Sequence, residues 1–402
     1  MNEKFSSFQK INKLSSGRDV CLFGAGNIAH KTLRKLSSPV SCIYDNSANL
    51  WGTEQVNLKV ENPCDLVSEN DNRFFIICTT SFIEVANQLG NLGYISGEDF
   101  VVSPILNDLR VIDDLESVNI RLLLSSGTQP NDDSLTGGGL YCLHINGLQH
   151  TVEKVLSGSC HSIIKQDGHF LTVDDERGII RVDSEFETEI LTDLPQGSRG
   201  HGLSYHADSD TYFVACSYLD TVLRFNNKFE KIQSYPLSKK TGIEGGPFHH
   251  TNDCLALGGS LYVSMFSKTG NWKRDVFDGV VLEFDIETGQ EIGVVIDDLW
   301  MPHNIQLIDG SLTVLDSLRG GLVRNNAQTV GLFPAFTRGL DSDGVYFYLG
   351  QSRNRNFSKN LGNSLNISID TAVVIFDEVT KVSRTIQLPS TISEIHSIAI
   401  ID

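Results

Sequence analysis

Histidines open several copies of a short sequence phrase in the second part of the chain. Each copy joins a polar opening residue to an alternating apolar run, a turn and a second run, as in His161-Ser-Ile-Ile-Lys-Gln-Asp-Gly and His303-Asn-Ile-Gln-Leu-Ile-Asp-Gly. The opening residues of the copies are His161, His201, Asn252, His303, Arg338 and His396. His250 stands two residues ahead of Asn252. This set is concentrated, because the whole chain has 11 histidines.

One chemistry that these residues could support is metal binding. Neutral imidazoles suit Zn²⁺, Mn²⁺ or Fe²⁺, and a metal held by them would act as a Lewis acid or lower the pKa of a bound water. The candidate ligands are His161, His201, His250, His303 and His396.

A second chemistry needs no metal. One histidine would act as a general base while its neighbours bind a polar ligand. For catalysis the candidate residues are His201, His250, His303 and Arg338. Arg338 could hold a carboxylate or phosphate through two parallel hydrogen bonds. A third interpretation is structural, in which these side chains fill a channel with hydrogen bonds and water.

The repeated phrase also predicts the fold that would bring these residues together. Two further strand-like runs follow each phrase, for example Val222–Phe225 and Lys231–Tyr235. Four antiparallel strands in every 40–50 residues or so are typical of a β-propeller. We therefore predict a six-bladed propeller over residues 111–402, in which the first strand of each blade lines a central channel.

The last copy of the phrase lacks partners after it, because the sequence ends at Asp402. Three unassigned strands precede His161, within residues 119–156. We therefore expect the sixth blade to combine 119–156 with 395–402, so that the terminal strands pair and no edge is left open.

Two insertions are expected near the mouth of the channel. They are residues 351–370, rich in polar side chains, and residues 266–278, which include Trp272. Insertions of this kind often cover a binding face. Asp253, Trp300 and Arg353 are further candidates to line the same mouth.

The first part of the chain predicts an α/β domain over residues 17–110, preceded by a leader helix or tail at 1–16. A buried strand leads into Gly24-Ala-Gly26-Asn27-Ile-Ala and a helix, and a second strand ends at Asp45. Strand–helix alternation predicts a parallel, Rossmann-like sheet. The glycine-rich turn suits phosphate groups, and Asp45 is placed to bind ribose hydroxyls. Gly24, Gly26, Asn27 and Asp45 are thus candidate cofactor-binding residues.

Composition narrows the choice of partners. The net charge is −18, and residues 111–402 carry 22 Lys and Arg against 38 Asp and Glu. Such an acidic domain is expected to repel nucleic acid and anionic lipid. The eight cysteines lie singly, no apolar run is long enough to span a bilayer, and the N-terminus lacks the apolar core of a signal peptide, so we expect a cytoplasmic protein.

Two resemblances follow from these motifs. Phe248-His-His250-Thr-Asn252, Met301-Pro-His303 and Phe333-Pro-Ala-Phe-Thr-Arg338 resemble an uncharacterised bacterial six-bladed propeller family, a domain of unknown function, over residues 150–402. His396 departs from the tyrosine-type residue expected there. Residues 17–105 resemble the Rossmann-like module of bacterial sugar acetyltransferases and glycosyltransferases. The resemblance implies that this module could bind a nucleotide, a nucleotide-sugar or NAD.

Three functions remain open. The first is a metal- or histidine-dependent enzyme acting on a carbohydrate or other polar small molecule, as a lyase, hydrolase or epimerase, with surface-glycan synthesis suggested by the N-terminal resemblance. The second is a non-catalytic module that binds a glycan or protein. The third is a nicotinamide-dependent oxidoreductase using the N-terminal domain. The oligomeric state is left open by the sequence.

Overall fold

The computed structural model describes residues 7–66, 72–106, 108–127, 137–238, 247–325, 328–354 and 366–402. The chain divides into two compact units, residues 1–118 with 379–382 and residues 119–378 with 383–402. No helix in the described ranges is long and apolar enough to cross a membrane.

The first unit is an α/β unit built on one six-stranded sheet. Its helices are α1 (Phe8–Leu14), α2 (Asn27–Leu33), α3 (Phe82–Asn91) and α4 (Asp108–Glu116). Its strands are β1 (Asp19–Phe23), β2 (Val40–Tyr44), β3 (Glu54–Gln55), β4 (Leu58–Glu61), β5 (Arg73–Ile77) and β6 (Phe100–Val102). The strand order is β3-β4-β2-β1-β5-β6.

This sheet differs from the predicted parallel one. Strands β1, β2, β4, β5 and β6 pair in parallel, but β3 runs antiparallel to β4 and makes the sheet mixed. The antiparallel pair is a tight hairpin whose turn, Val56-Asn57, has positive φ at both residues. Only α2 and α3 are found as helical crossovers between the parallel strands that are described here. The structure therefore supports an α/β unit, and a Rossmann-like domain is not established.

The second unit contains six separate four-stranded antiparallel sheets, which confirms the prediction of a six-bladed propeller. Blades one to three are β10 (Cys160–Gln166), β11 (His169–Asp174), β12 (Gly178–Val182) and β13 (Thr188–Thr192); β14 (Gly200–His206), β15 (Thr211–Cys216), β16 (Thr221–Phe225) and β17 (Lys231–Pro236); and β18 (Thr251–Leu257), β19 (Ser260–Met265), β20 (Gly279–Asp285) and β21 (Glu291–Leu299). Blades four and five are β22 (Pro302–Ile308), β23 (Ser311–Asp316), β24 (Gly321–Arg324) and β25 (Gln328–Leu332); and β26 (Phe336–Ser342), β27 (Phe347–Ser352), β28 (Ala372–Phe376) and β29 (Ser383–Gln387).

The sixth blade draws on both ends of the unit. Its strands are β7 (Asn119–Ser126), β8 (Gly139–Asn146), β9 (Gln149–Ser157) and β30 (Ser397–Ile400), in the order β30-β7-β8-β9. Strand β30 pairs antiparallel with β7, from Ser397 opposite Ser125 to Ile400 opposite Leu122. The predicted pairing of the terminal strands is therefore present.

The turns and cores of the blades follow from local sequence. Asp167-Gly168 and Asp309-Gly310 have positive φ at both residues, which is the geometry of the two-residue turn that matches strand twist. Apolar side chains of adjacent blades pack together, as Phe213 does with a cluster that includes Val263 and Val280.

The ladders stay within blades, so the ring is not closed by a ladder between blades. Side chains from innermost strands bind the backbone of the next innermost strand instead. Asp253 accepts a hydrogen bond from the Ile305 amide at 2.8 Å, and Asp341 accepts one from the Ile400 amide at 2.7 Å. Asn304 accepts one from the Gly339 amide at 2.7 Å. These bonds satisfy amide groups that no strand pairs along the channel.

Candidate functional site

Strand direction places the predicted histidines on one face of the propeller. Each innermost strand starts on this face, and in a four-stranded antiparallel blade the loop after the second strand and the connection to the next blade return to it. The described parts of both predicted insertions are loops of the first kind. The predicted repeat position is therefore also the position nearest to these loops.

A bulge lies at this position in four innermost strands and directly after it, at Asn304, in the fourth blade. The register of pairing shifts between the residues that flank His161, His201, Asn252, Asn304 and Arg338. A bulge inserts an extra residue into one strand and redirects its side chain. The recurrence explains why equivalent side chains from different blades turn toward the channel.

His161, His201 and His396 come from three consecutive blades and contact one another. The rings of His161 and His201 are stacked, with centroids 4.2 Å apart and an interplanar angle of 17°. The ring of His396 meets that of His161 edge-on at 4.5 Å, and their Nδ1 atoms are 3.0 Å apart. Gly127 permits this arrangement, because a Cβ there would lie 2.6 Å from His161 Cε1 and 2.7 Å from His396 Nε2.

His250 and His303 extend the cluster through aromatic rings. The His250 ring lies 5.7 Å from that of His201, and it packs against Phe266 at 4.2 Å and Trp272 at 4.8 Å. Phe266 in turn lies 5.2 Å from the ring of His303. The 266–278 segment thus reaches the histidines, as predicted for an insertion at the mouth.

The backbone around His250 is held by Asp220, which is 2% exposed. Its carboxylate accepts hydrogen bonds from the amides of Phe248 at 2.7 Å, His249 at 3.0 Å and Thr251 at 3.2 Å. His250 itself has a φ of 52°, a left-handed conformation that costs energy for a residue with a Cβ. Asp220 therefore fixes a strained segment that presents His250.

The hydrogen bonds of His303 determine which of its nitrogens carries the proton. Nδ1 lies 2.8 Å from the carbonyl oxygen of Met301 and 2.7 Å from Oγ of Ser317. A carbonyl oxygen only accepts, so Nδ1 must be the donor and Nε2 must carry the lone pair of a neutral ring. Nε2 is buried and has no partner among the described residues. His303 thus presents a hydrogen-bond acceptor.

His201 has the opposite assignment. The side-chain amide of Asn252 donates to His201 Nδ1 at 3.2 Å, so Nδ1 accepts and Nε2 carries the proton of a neutral ring. Within the part of the chain that the structure describes, Nε2 is buried without a partner. His201 thus presents a hydrogen-bond donor.

Burial keeps these imidazoles neutral. It lowers the pKa of His201 and of His303 well below the usual value, and the nearby charges of His161 and Arg338 respectively add to the effect. Burial and the charge of Arg338 lower the pKa of His250 and of His396 to about 3. A charged imidazole is disfavoured because the site replaces water with rings and backbone.

Arg338 contacts a carboxylate and an imidazole of the same unit. Its Nη1 lies 3.3 Å from Oε2 of Glu394 and 3.2 Å from Nε2 of His396, and its guanidinium stacks over Phe336 at 4.6 Å. Its charge is thus already balanced by a carboxylate within the protein. Capture of a carboxylate or phosphate ligand by Arg338 stays a prediction.

The predicted metal site is not confirmed. Nowhere in the described ranges are three or more His, Cys, Asp or Glu side chains arranged to hold a metal ion. One physical reason is that one ring nitrogen each of His161, His303 and His396 is directed at another protein group. Nδ1 of His161 faces Nδ1 of His396, and Nδ1 of His303 bonds the Met301 carbonyl.

Within the described ranges, three other residues predicted to line the channel mouth have no ring contact with the clustered histidines, and their surroundings differ. Asp253 lines a channel cavity of about 340 Å³ whose wall contains none of the clustered histidines. Trp300 packs against Phe277 at 5.0 Å. Arg353 is exposed and its amide donates to the carbonyl of Ser393 at 2.9 Å. The other predicted insertion spans residues 351–370, and residues 355–365 of it lie outside the described residues.

Sequence reasoning missed two acidic residues of the site. Asp175 lies 3.2 Å from Nε2 of His161, and Glu394 lies 3.0 Å from Nε2 of His396. Asp175 follows the second strand of its blade, a corner that returns to the histidine face. Glu394 stands two residues before the repeat position, as His250 does, and that spacing was an available signal.

In the first unit the glycine-rich turn is bound by its own chain. Gly24 has a φ of 113°, and a Cβ there would lie 2.8 Å from the Cys78 carbonyl oxygen, so only glycine fits. The Asp45 carboxylate accepts from the amides of Ala25 at 2.7 Å and Ser47 at 2.8 Å. The amide expected to face a phosphate is therefore satisfied by the residue expected to bind ribose.

Gly26 caps α2, which starts at Asn27 and has only 7 residues. The geometry of this turn alone does not indicate a ligand site. Cofactor binding by Gly24, Gly26, Asn27 and Asp45 stays a prediction.

One protein-family model matches part of the second unit. Residues 253–402 match the model of a domain of unknown function, DUF4915. The match covers the C-terminal part of the predicted resemblance and confirms it there. No curated protein matches the chain.

Several solved structures are similar in fold. A chain of a nidogen/laminin complex is 13% identical, with 71% of this chain and 98% of that chain covered and a TM-score of 0.49. A protein of unknown function from Bacteroides caccae is 16% identical, with 70% and 99% covered and a TM-score of 0.48. The calcium-binding protein regucalcin from Agrobacterium tumefaciens is 12% identical, with 57% and 74% covered and a TM-score of 0.41. Similarities this low carry no information on activity.

Proposed function

We propose that the histidine cluster is an acid–base catalytic site that acts on a polar small molecule, of which a carbohydrate is the best-fitting class. The observation that carries the proposal is the opposite nitrogen assignment of two buried neutral imidazoles. His303 presents a lone pair and His201 presents a proton, both at Nε2. A general base and a hydrogen-bond donor for the developing negative charge are two groups that proton-abstraction reactions of this kind use.

The electrostatics of the site favour a proton abstraction assisted by a hydrogen bond. A neutral His303 can accept a proton at neutral pH, but burial disfavours the imidazolium that results. A hydrogen bond from His201 Nε2 would stabilise the negative charge that develops on the substrate as the proton leaves, and the His201 ring would stay neutral. Reactions of the lyase, hydrolase and epimerase types all include a proton removal that such a donor can assist.

The surroundings suit a sugar-like ligand. Phe266, Trp272 and Phe336 lie within 6 Å of the His250 and His303 rings. Aromatic rings pack on the apolar faces of sugars while imidazole nitrogens bond hydroxyl groups.

The test is a turnover assay in deuterated water. Purified protein is incubated with a panel of sugar lactones, uronic acid glycosides and free monosaccharides, and proton NMR follows lactone opening, elimination and exchange of carbon-bound hydrogen. We expect one class to react, and His303→Gln and His201→Gln to lower kcat/KM by roughly 100-fold or more. The matched control is His150→Gln, because His150 is exposed on an outer strand.

Two results would contradict the proposal. Binding of a panel sugar without turnover, seen as a shift in melting temperature, would favour a non-catalytic module. Co-purification of stoichiometric Zn, Mn or Fe that is lost in His250→Ala and His303→Ala would favour the metal-dependent alternative.

A further inference from the structure

Two cysteine thiols of the first unit lie in contact. Cys21 is on β1 and Cys42 is on β2, and their Sγ atoms are 3.7 Å apart, within the range of a thiol hydrogen bond. Neither residue is part of a disulfide, and the histidine cluster contains neither. Two free thiols in contact are the starting arrangement for disulfide formation.

A bulge in β2 brings the two side chains together. Val20 pairs with Val40 in the parallel ladder of β1 and β2. The next residue of β1, Cys21, pairs with Cys42, so Ser41 is an additional residue in β2. In a regular ladder Cys21 would lie opposite Ser41, but a bulge changes which side chains share a face. Both cysteines consequently pack in the same apolar cluster.

The strand spacing suits a disulfide between these residues. Neighbouring strands are about 4.7–4.9 Å apart, and a disulfide accepts Cα–Cα distances of about 4.4–6.8 Å. Closing the bond shortens the Sγ–Sγ distance from 3.7 Å to about 2.0 Å. Rotation of the two side chains supplies that movement, so the strands can stay paired.

The two thiols differ in exposure and acidity. Cys21 is 0% exposed, whereas Cys42 is half-buried. The hydrogen bond between them lowers the pKa of Cys42, and the same bond, together with burial, raises the pKa of Cys21. When Cys42 loses its proton, the Cys21 S–H remains to donate to the thiolate. Because the thiolate is the form that reacts with peroxides, an oxidant in solvent meets Cys42 first.

We propose that Cys42 is a peroxide-reactive thiol and that Cys21 converts its oxidised form into a reversible disulfide. The Cys42 thiolate attacks one oxygen of hydrogen peroxide, the O–O bond breaks, and a sulfenic acid and hydroxide form. The Cys21 sulfur then attacks the Cys42 sulfur, the S–O bond breaks, and a second hydroxide leaves. The two thiol protons convert both hydroxides to water, and the two electrons lost by the sulfurs reduce the peroxide. This modification does not depend on the acid–base site of the second unit.

Peptide mass spectrometry of the full chain tests the bond. Reduced protein is treated with hydrogen peroxide, its remaining thiols are blocked with iodoacetamide, and the digest is measured with and without dithiothreitol. The expected product is a dithiothreitol-sensitive species that joins the Cys21 and Cys42 peptides. Cys64 of the same unit is exposed, and Cys64→Ser should leave the yield of this species unchanged. Recovery of both thiols unoxidised, or a bond from Cys42 to Cys64, would overturn the proposal.

Single variants test which thiol reacts first. In Cys21→Ser, peroxide should convert Cys42 to a sulfenic acid that dimedone traps and then to a sulfinic acid, because the second thiol is missing. In Cys42→Ser, Cys21 should resist the same treatment because it is buried. Oxidation of Cys21 in Cys42→Ser at the native rate would contradict the assigned order. The disulfide in native protein is measured without either variant, so the bond stays testable if a variant does not fold.

Discussion

Individual imidazoles in this site are unusual because several are buried without charge. Water stabilises an imidazolium, and the packed rings around His250 and His303 do not. A residue that is neutral when folded and charged when unfolded couples stability to pH. The pH dependence of unfolding therefore reports on the environment of these residues.

The sign of this dependence follows from His250, whose pKa falls from an ordinary 6.5 to about 3 on folding. Between these values the unfolded chain binds a proton that the folded protein does not. The contribution to stability is fully present above about pH 6.5 and is lost as the pH falls toward 3, by about 1.4 kcal/mol per pH unit for each such histidine.

The prediction is checked by urea unfolding at about pH 5, where the linkage is strong, and at about pH 7, where little of it remains. The free energy of unfolding of native protein should fall toward the lower pH, and His250→Gln should make that fall shallower. His150→Gln should leave it unchanged. Identical slopes for native protein and His250→Gln would show that His250 is not buried in its neutral form.

At the scale of strands, the sequence predicts which residues occupy equivalent positions in different blades. It does not predict which groups their side chains contact. The alternating runs and Asp-Gly turns predict the blades, so His161, His201 and His303 were placed together from the repeat alone. Their nitrogen assignments depend on Asn252, Met301 and Ser317, which are not set by the period of a strand.

Asp175 and Glu394 were missed for the same reason. Asp175 and Glu394 lie in connections, whose conformation follows from local turns and neighbouring blades rather than from a repeating pattern. Arg338 lies on the strand predicted for it, but its contact with Glu394 could not be predicted from the repeat. In the first unit, Asp45 follows a strand as predicted, yet it bonds Ala25 across the turn.

The sixth blade of the propeller pairs strands from the two ends of the second unit. Strand β30 supplies Ile398, which is 1% exposed, and shields the edge of β7. Deleting residues 394–402 removes this strand and leaves unpaired amide and carbonyl groups along β7, an edge that favours unfolding or self-association.

We therefore expect the 394–402 deletion to be unfolded or oligomeric in size-exclusion chromatography and to lose its native melting transition. Deleting Asp402 alone is the control. It removes an exposed ion pair with Arg121, and such pairs contribute about 0–1 kcal/mol. A monomeric 394–402 deletion with an unchanged melting temperature would contradict the assembly of the sixth blade.

The histidine cluster presents one donating and one accepting imidazole nitrogen. Long-range ¹H–¹⁵N correlation spectra of histidine-labelled protein at neutral pH measure this directly, with His201→Gln and His303→Gln used for assignment. We expect a proton on Nδ1 of His303 and on Nε2 of His201, with both rings neutral. The same tautomer in both residues, or a charged ring in either, would contradict it.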